Sequence, residues 1–230
     1  MSVLYLVRHG QTRGFHVDGY TDLTPLGVRQ AEALGAWWRE RGPRPDRFVV
    51  GPRPRHVQTA SGVAGPGWPA PEPCAGLDEH AGLDVLAAVL EGRARLDDAS
   101  RDAILGALGA GDVLRGFRRL LVGWATGAVH VEDAESWPAF RARVGATVKE
   151  LLAERGRTVV AVTSGGFVGA AVADVLSDGA GPLSDVVVEG LASAVENASV
   201  TEIRASGARR TLVRFNSVAH LGDDVPATPL

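Results

Sequence analysis

A chain of 230 residues, 45% apolar and 22% charged, is long enough for one sizeable core with an inserted subdomain and has the balance of an ordinary globular protein. Its net charge of −3 gives no footing for nucleic acid or an anionic membrane as the main partner. A lone cysteine, Cys74, excludes an intrachain disulfide; with no signal-type start and no run near the ~20 apolar residues of a membrane span, a cytoplasmic protein is expected.

The chain opens on Val3 to Val7, a short apolar run that reads as a buried strand and stops at Arg8-His9-Gly10. Gly10 is expected to let backbone N–H groups approach a ligand. After a polar loop over 14–22, Thr24 is a good N-cap, Pro25 suits the first helical position, and Leu26, Ala33, Leu34, Trp37 and Trp38 form a helical stripe ended by Gly42-Pro43. Phe48 to Val50 reads as a second buried strand, and a helix runs from near Pro54 to about Ala64. GPGWPAPEP is a turn-rich connector, and a short third strand is expected over Cys74 to Leu77, leading to Asp78-Glu79-His80. From about Gly82 to Trp137 the segments 83–95, 99–109 and 112–126 look helical and no strand is evident, which suggests a cap over the core. Trp124 and Trp137 read as core residues there, with a stacking surface for an aromatic phosphate as the sharper alternative. Ser136 is a plausible N-cap for a helix from Pro138 to Glu154. Arg157 to Thr163 is the clearest strand in the chain and stops at Ser164-Gly165-Gly166, before a helix over 167–176. The segments 198–204 and 211–215 look like a closing strand pair. Strands alternating with helices predict a three-layer α/β/α sandwich with a mostly parallel central sheet and a helical cap insertion.

In such a sheet the polar strand ends Arg8-His9-Gly10, Gly51-Pro52-Arg53-Pro54-Arg55, Asp78-Glu79-His80 and Ser164-Gly165-Gly166 lie along one edge. Phosphoryl transfer needs what they supply. Arginine matches phosphate oxygens bidentately, a neutral imidazole can attack phosphorus, and a carboxylic acid can protonate the leaving oxygen and then activate water. No metal or other cofactor is required, because arginines hold the developing charge. An arginine by itself says little here, since Lys149 is the only lysine among the 24 basic residues.

The stretches LYLVRHGQT, LTPLGVRQA, GPRPRHVQTA, LDEH and VTSGGF, in this order, resemble the histidine phosphatase superfamily, the phosphoglycerate mutase-like fold. The resemblance covers 1–80 and 157–220, and WATGAVHVEDAESWPAFRARV resembles the cap of a bacterial branch of it. It implies a single domain over 1–230 with the cap at 82–137. It also implies His9 as nucleophile, Arg8 and Arg55 as phosphate clamps, and Glu79 as proton donor, with Asp78 a rival one residue away. Because adjacent residues at a strand end point in opposite directions, one of Asp78 and Glu79 faces the pocket and Arg53 is expected to be solvated. Ser164 stands where the superfamily has a second histidine; with Gly165 it is expected to bind phosphate. His16, His56, His80 and His220 are the candidates to supply the missing imidazole; a structural or rim role is favoured for His220.

The function implied is a metal-independent phosphomonoesterase acting through a phosphohistidine on a small phosphorylated metabolite. A phosphoglycerate mutase-type isomerase ranks lower, because HAGLDVLAAVL does not resemble the mutase continuation after Glu79. A non-catalytic or repurposed phosphate-ester binder is the third reading, motivated by Ser164. An edge strand after GLASAVENASV is expected to be available for pairing in a homodimer.

Overall fold

The computed structural model describes residues 1–13, 22–177 and 183–228. A six-stranded sheet runs in the order β3-β2-β6-β1-β7-β8. Its strands are β1 (Ser2–Arg8), β2 (Arg47–Val50), β3 (Pro71–Pro73), β6 (Thr158–Thr163), β7 (Val200–Ser206) and β8 (Arg209–Ser217). The first four are mutually parallel, whereas β7 runs antiparallel to both β1 and β8. Helices α1 (Pro25–Arg41) and α2 (Pro54–Val63) cover one face; α6 (Trp137–Leu151), α7 (Gly165–Leu176) and the segment between β3 and α6 cover the other.

The two-residue period of the strands produces the layers. Leu4, Leu6, Val159 and Ala161 enter one core with Phe140, Phe167 and Leu120, while Val7, Val160, Val162 and Phe48 enter the other with Leu34, Trp38 and Val63. Each fully buried side chain of this size contributes roughly 1.5–3 kcal/mol before entropy is counted. Thr24 caps α1 as expected, its hydroxyl accepting the Gly27 N–H at 3.0 Å.

Several expectations are corrected. The third strand is Pro71–Pro73, not Cys74 to Leu77, and Ala75–Leu77 is a 3₁₀ turn. The prolines hid this strand; they are accommodated because β3 lies at the sheet edge, which needs N–H donors on one side only. In the insertion, α3 (Gly82–Leu90), α4 (Asp98–Gly109) and α5 (Val113–Ala125) are close to expectation. However, α3 stops five residues short of 95, where Gly92 turns the chain at φ +72°, and a small ribbon pairs β4 (Arg95–Leu96) with β5 (Val129–His130). Helix α6 ends at Leu151, α7 starts two residues early at Gly165, and α8 (Asp185–Ala194) is an addition. The strand after GLASAVENASV is β7, which lies between β1 and β8, so the edges are β3 and β8 and the suggested edge pairing through that strand is withdrawn. Trp124 and Trp137 are core residues: both are 5% exposed, with ring centroids 5.2 Å apart. Among the described residues no helix is long and apolar enough to cross a membrane.

Candidate functional site

Parallel pairing sets β1, β2 and β6 in register, with Arg8 beside Thr163 and Val50 beside Val162. The residues that follow these strand ends therefore leave the sheet together. His9 N–H donates to the Thr163 carbonyl at 2.9 Å and Gly51 N–H to the Val162 carbonyl at 3.0 Å.

His9 is fully buried, with Nδ1 2.7 Å from the Gly10 carbonyl oxygen. A carbonyl only accepts, so Nδ1 carries the proton and the lone pair sits on Nε2. Burial, and after it the charges of Arg8 and Arg55, hold the imidazole well below its ordinary value of 6.5, so the ring is neutral. The His9 carbonyl accepts from Asn197 Nδ2 and the Ala198 N–H, each at 3.1 Å, which fixes the backbone of the site.

Arg8, 2% exposed, donates to the Val195 carbonyl at the end of α8, and a Cβ on Gly165 would lie 3.5 Å from its Nε. Arg55, 3% exposed and in the first turn of α2, donates to Ser164 Oγ at 3.3 Å. Ser164 occupies the N-cap position of α7, yet its side chain makes no cap bond. Its Oγ lies 2.7 Å from His56 Nε2, and the His56 and His9 rings are 5.9 Å apart. His56 is fully buried and pushed well below 6.5 by desolvation and then by Arg55 and Arg53. Glu79 reaches the same place from the loop after the 3₁₀ turn. Helix α7 passes so close that a Cβ on Gly166 would fall 2.2 Å from Glu79 Oε1.

These contacts decide which neighbour faces inward. Asp78 Oδ1 accepts Arg53 Nε at 2.5 Å and the Glu79 N–H at 2.8 Å, so Asp78 is engaged elsewhere while Glu79 lies against α7. Arg53, expected to be solvated, is half-buried and ion-paired. Gly10 does not serve a ligand's approach: its N–H donates to Thr59 Oγ1 at 3.0 Å, and a Cβ there would lie 2.3 Å from the Gly27 carbonyl, so α1 packing is what requires glycine. The arrangement collects a neutral imidazole, two guanidinium groups, a hydroxyl, a helix N-terminus and a carboxyl group, which is a set suited to an ester of phosphate. Among the described residues no cluster of three or more candidate metal ligands occurs.

The family model of the histidine phosphatase superfamily (branch 1) matches residues 4–96 and 114–218. The chain belongs to that superfamily. A search of curated proteins returned no match. Among solved structures it is similar to a phosphoserine phosphatase from Entamoeba histolytica in complex with phosphoserine (18% identity, TM-score 0.62, 96% of this chain and 100% of that one). It is also similar to an alpha-ribazole phosphatase from Shigella flexneri (19%, TM-score 0.64, 94% and 96%) and to a mycobacterial glucosyl-3-phosphoglycerate phosphatase bound to inorganic phosphate (24%, TM-score 0.62, 96% and 99%). At these identities the likeness establishes the histidine phosphatase fold.

Of the spare histidines among the described residues, only His56 reaches Ser164. His80 packs between Trp124 and Phe140 and accepts the Gly82 N–H at 3.1 Å, beside Glu79. His220 sits next to Trp37, with none of the site residues around its cleft, and His16 lies outside the described residues. Sequence reading missed Arg143, and it did not foresee that Gly166 packs against Glu79. Arg143 donates to the carbonyls of Gly76 and Asp78 at 2.9 Å and of Glu79 at 3.3 Å while paired with Glu135 at 2.7 Å, so it holds the loop that carries Glu79. Nothing distinguishes it in a chain so rich in arginine.

Two expected results follow from this packing. Gly166→Ala displaces the Glu79 carboxyl by an ångström or so, a misplacement worth about 100-fold in rate; kcat on an alkyl phosphate, with a thermal melt to verify folding, measures it. His220 is held down at about 4 by burial, and its Nε2 is buried without a partner. The unfolded chain takes up this proton near 6.5 and the folded chain only near 4, so stability is full above 6.5 and falls as pH drops through this window. The 2.5-unit gap amounts to about 3 kcal/mol by pH 4. His220→Phe is expected to lessen the fall of the melting temperature between pH 6.5 and 4, leaving the part that the buried His9 and His56 contribute.

Proposed function

We propose that this chain is a metal-independent phosphomonoesterase that works through phospho-His9 on a small phosphorylated metabolite. One observation carries the reading: a buried, neutral imidazole whose Nδ1–H is tied to the Gly10 carbonyl, leaving the Nε2 lone pair as its reactive atom between two arginines. Phosphatase relatives on the same fold support it.

The phosphoryl group enters past Arg55 and Glu79 and is gripped by Arg8, Arg55, Ser164 and the N–H groups that open α7. His9 Nε2 attacks phosphorus; the P–N bond forms as the P–O ester bond breaks, and Glu79 gives its proton to the leaving oxygen. A water molecule, losing its proton to the Glu79 carboxylate, then attacks phosphorus; the P–N bond breaks, inorganic phosphate departs and His9 is restored. Ser164 Oγ accepts from Arg55 at 3.3 Å and shares a 2.7 Å contact with His56 Nε2. His56 supports the hydroxyl that stands in the place of the superfamily's second histidine.

The test is turnover of p-nitrophenyl phosphate and an alkyl phosphate in EDTA by the unmodified protein and by Glu79→Gln. Nitrophenolate leaves without a proton, so the variant is expected to lose far more on the alkyl ester. Equal losses on both esters contradict the role of Glu79. Isomerisation of 3-phosphoglycerate that depends on a bisphosphate primer establishes the mutase reading instead, and tight ester binding with no turnover establishes the non-catalytic one.

A further inference from the structure

A cavity of about 280 Å³ opens on the strand ends, with Arg55, Glu79 and Gly166 on its floor. Its far side belongs to the insertion. Leu83, Leu86 and Leu90 of α3 and Phe117 and Leu121 of α5 supply the walls. Leu90, at the rim, is 62% exposed, an apolar side chain held out where packing does not need it. The volume is at the low end for ligand sites and suits a body of about one ring.

The charges along the cavity run in one order. Beyond Arg55, the cation among the described lining residues is Arg53, and Asp78 holds it at 2.5 Å. Next to it stands Asp84, an exposed carboxylate whose field also acts on Arg53. A carboxylate on the substrate would thus meet Asp84 and leucines, losing water without gaining a cation. An apolar group there removes hydrocarbon on both sides from water.

We infer that the substrate is a phosphate monoester whose alcohol part is apolar, an aryl-methyl or branched-alkyl group with no second acidic group. This rests on reading Arg55 and Glu79 as the phosphoryl end. The cap walls select the alcohol, and the strand ends perform the chemistry.

The test compares three esters of primary alcohols, so that leaving-group chemistry is matched: benzyl phosphate, phosphoserine and 3-phosphoglycerate. Benzyl phosphate is expected to have a kcat/KM at least ten-fold higher than either acidic ester, with most of the difference in KM. Leu86→Lys, at a half-buried wall position, is expected to reduce that ratio at least ten-fold by supplying the missing cation. Equal or better use of the acidic esters, or a ratio that Leu86→Lys leaves unmoved, overturns the inference. Binding is read separately by calorimetry on His9→Ala with benzylphosphonate and 3-phosphonopropionate. Tighter benzylphosphonate without turnover of any ester sinks the phosphatase reading and keeps the cavity's preference; the reverse order sinks the preference and leaves the chemistry standing.

Discussion

Replacing His9 by alanine is expected to abolish ester hydrolysis, lowering kcat/KM by at least about 10⁴-fold, the scale on which a nucleophile's removal is felt. Two features make the loss large. First, burial and the neighbouring guanidinium groups hold the imidazole well below its ordinary value and so favour the neutral, nucleophilic ring. Second, the ring cannot present the wrong nitrogen, since the Gly10 carbonyl at 2.7 Å retains the Nδ1 proton. Among the described residues, the other imidazole beside Arg55 is His56, and its Nε2 is engaged with Ser164. The variant leaves a small void at a strand end and is expected to remain folded. Steady-state kinetics in EDTA, beside circular dichroism of both proteins, measure the effect. Residual activity within about ten-fold of the unmodified protein contradicts the assignment.

The second large effect belongs to His56 and Ser164. His56→Ala is expected to lower kcat/KM by about 10- to 150-fold, the equivalent of one hydrogen bond to a charged group at 1.5–3 kcal/mol. Ser164→Ala is expected to cost about the same. The double variant is expected to be no worse than either single one, because the two groups act on phosphate through one hydroxyl. The stronger test exchanges the pair. His56→Ala with Ser164→His puts the imidazole on the strand end and frees the volume beside it. That protein is expected to recover at least ten-fold over His56→Ala alone. Additive losses in the double variant, or no recovery in the exchanged one, would show that the 2.7 Å contact only packs the core.

Legibility in the sequence followed the range of the interactions. The strands at 2–8, 47–50 and 158–163 show as apolar runs because both of their faces are covered, and the polar residues just past them mark the ligand edge. Those strand ends put Arg8, His9, Arg55 and Ser164 on one edge, whereas Glu79 follows a 3₁₀ turn instead of the expected strand and is legible only through the resemblance of LDEH. Elements whose reason is tertiary were harder to read. β3 forms between prolines only because it pairs with β2 on one side. α8 has no polar face clear enough to separate it from a loop, and the β4–β5 ribbon is two residues long on each side. Side-chain partnerships across long separations left no local trace. The contact of His56 with Ser164 spans 108 residues, and Arg143 reaches the Glu79 carbonyl from 64 residues away. The pairing of Arg53 with Asp78 was equally silent; alternation along a strand does not apply after a 3₁₀ turn.

Transfer of the phosphoryl group to His9 is tested most directly by trapping the intermediate. The protein is mixed with a radiolabelled aryl phosphate in EDTA and quenched within milliseconds in base, and the label is mapped by digestion. The expected result is a base-stable, acid-labile phosphoramidate on the peptide that carries His9, absent from His9→Ala. An acid-stable label on the Ser164 peptide would contradict it, making the serine, with His56 as its base, the nucleophile instead.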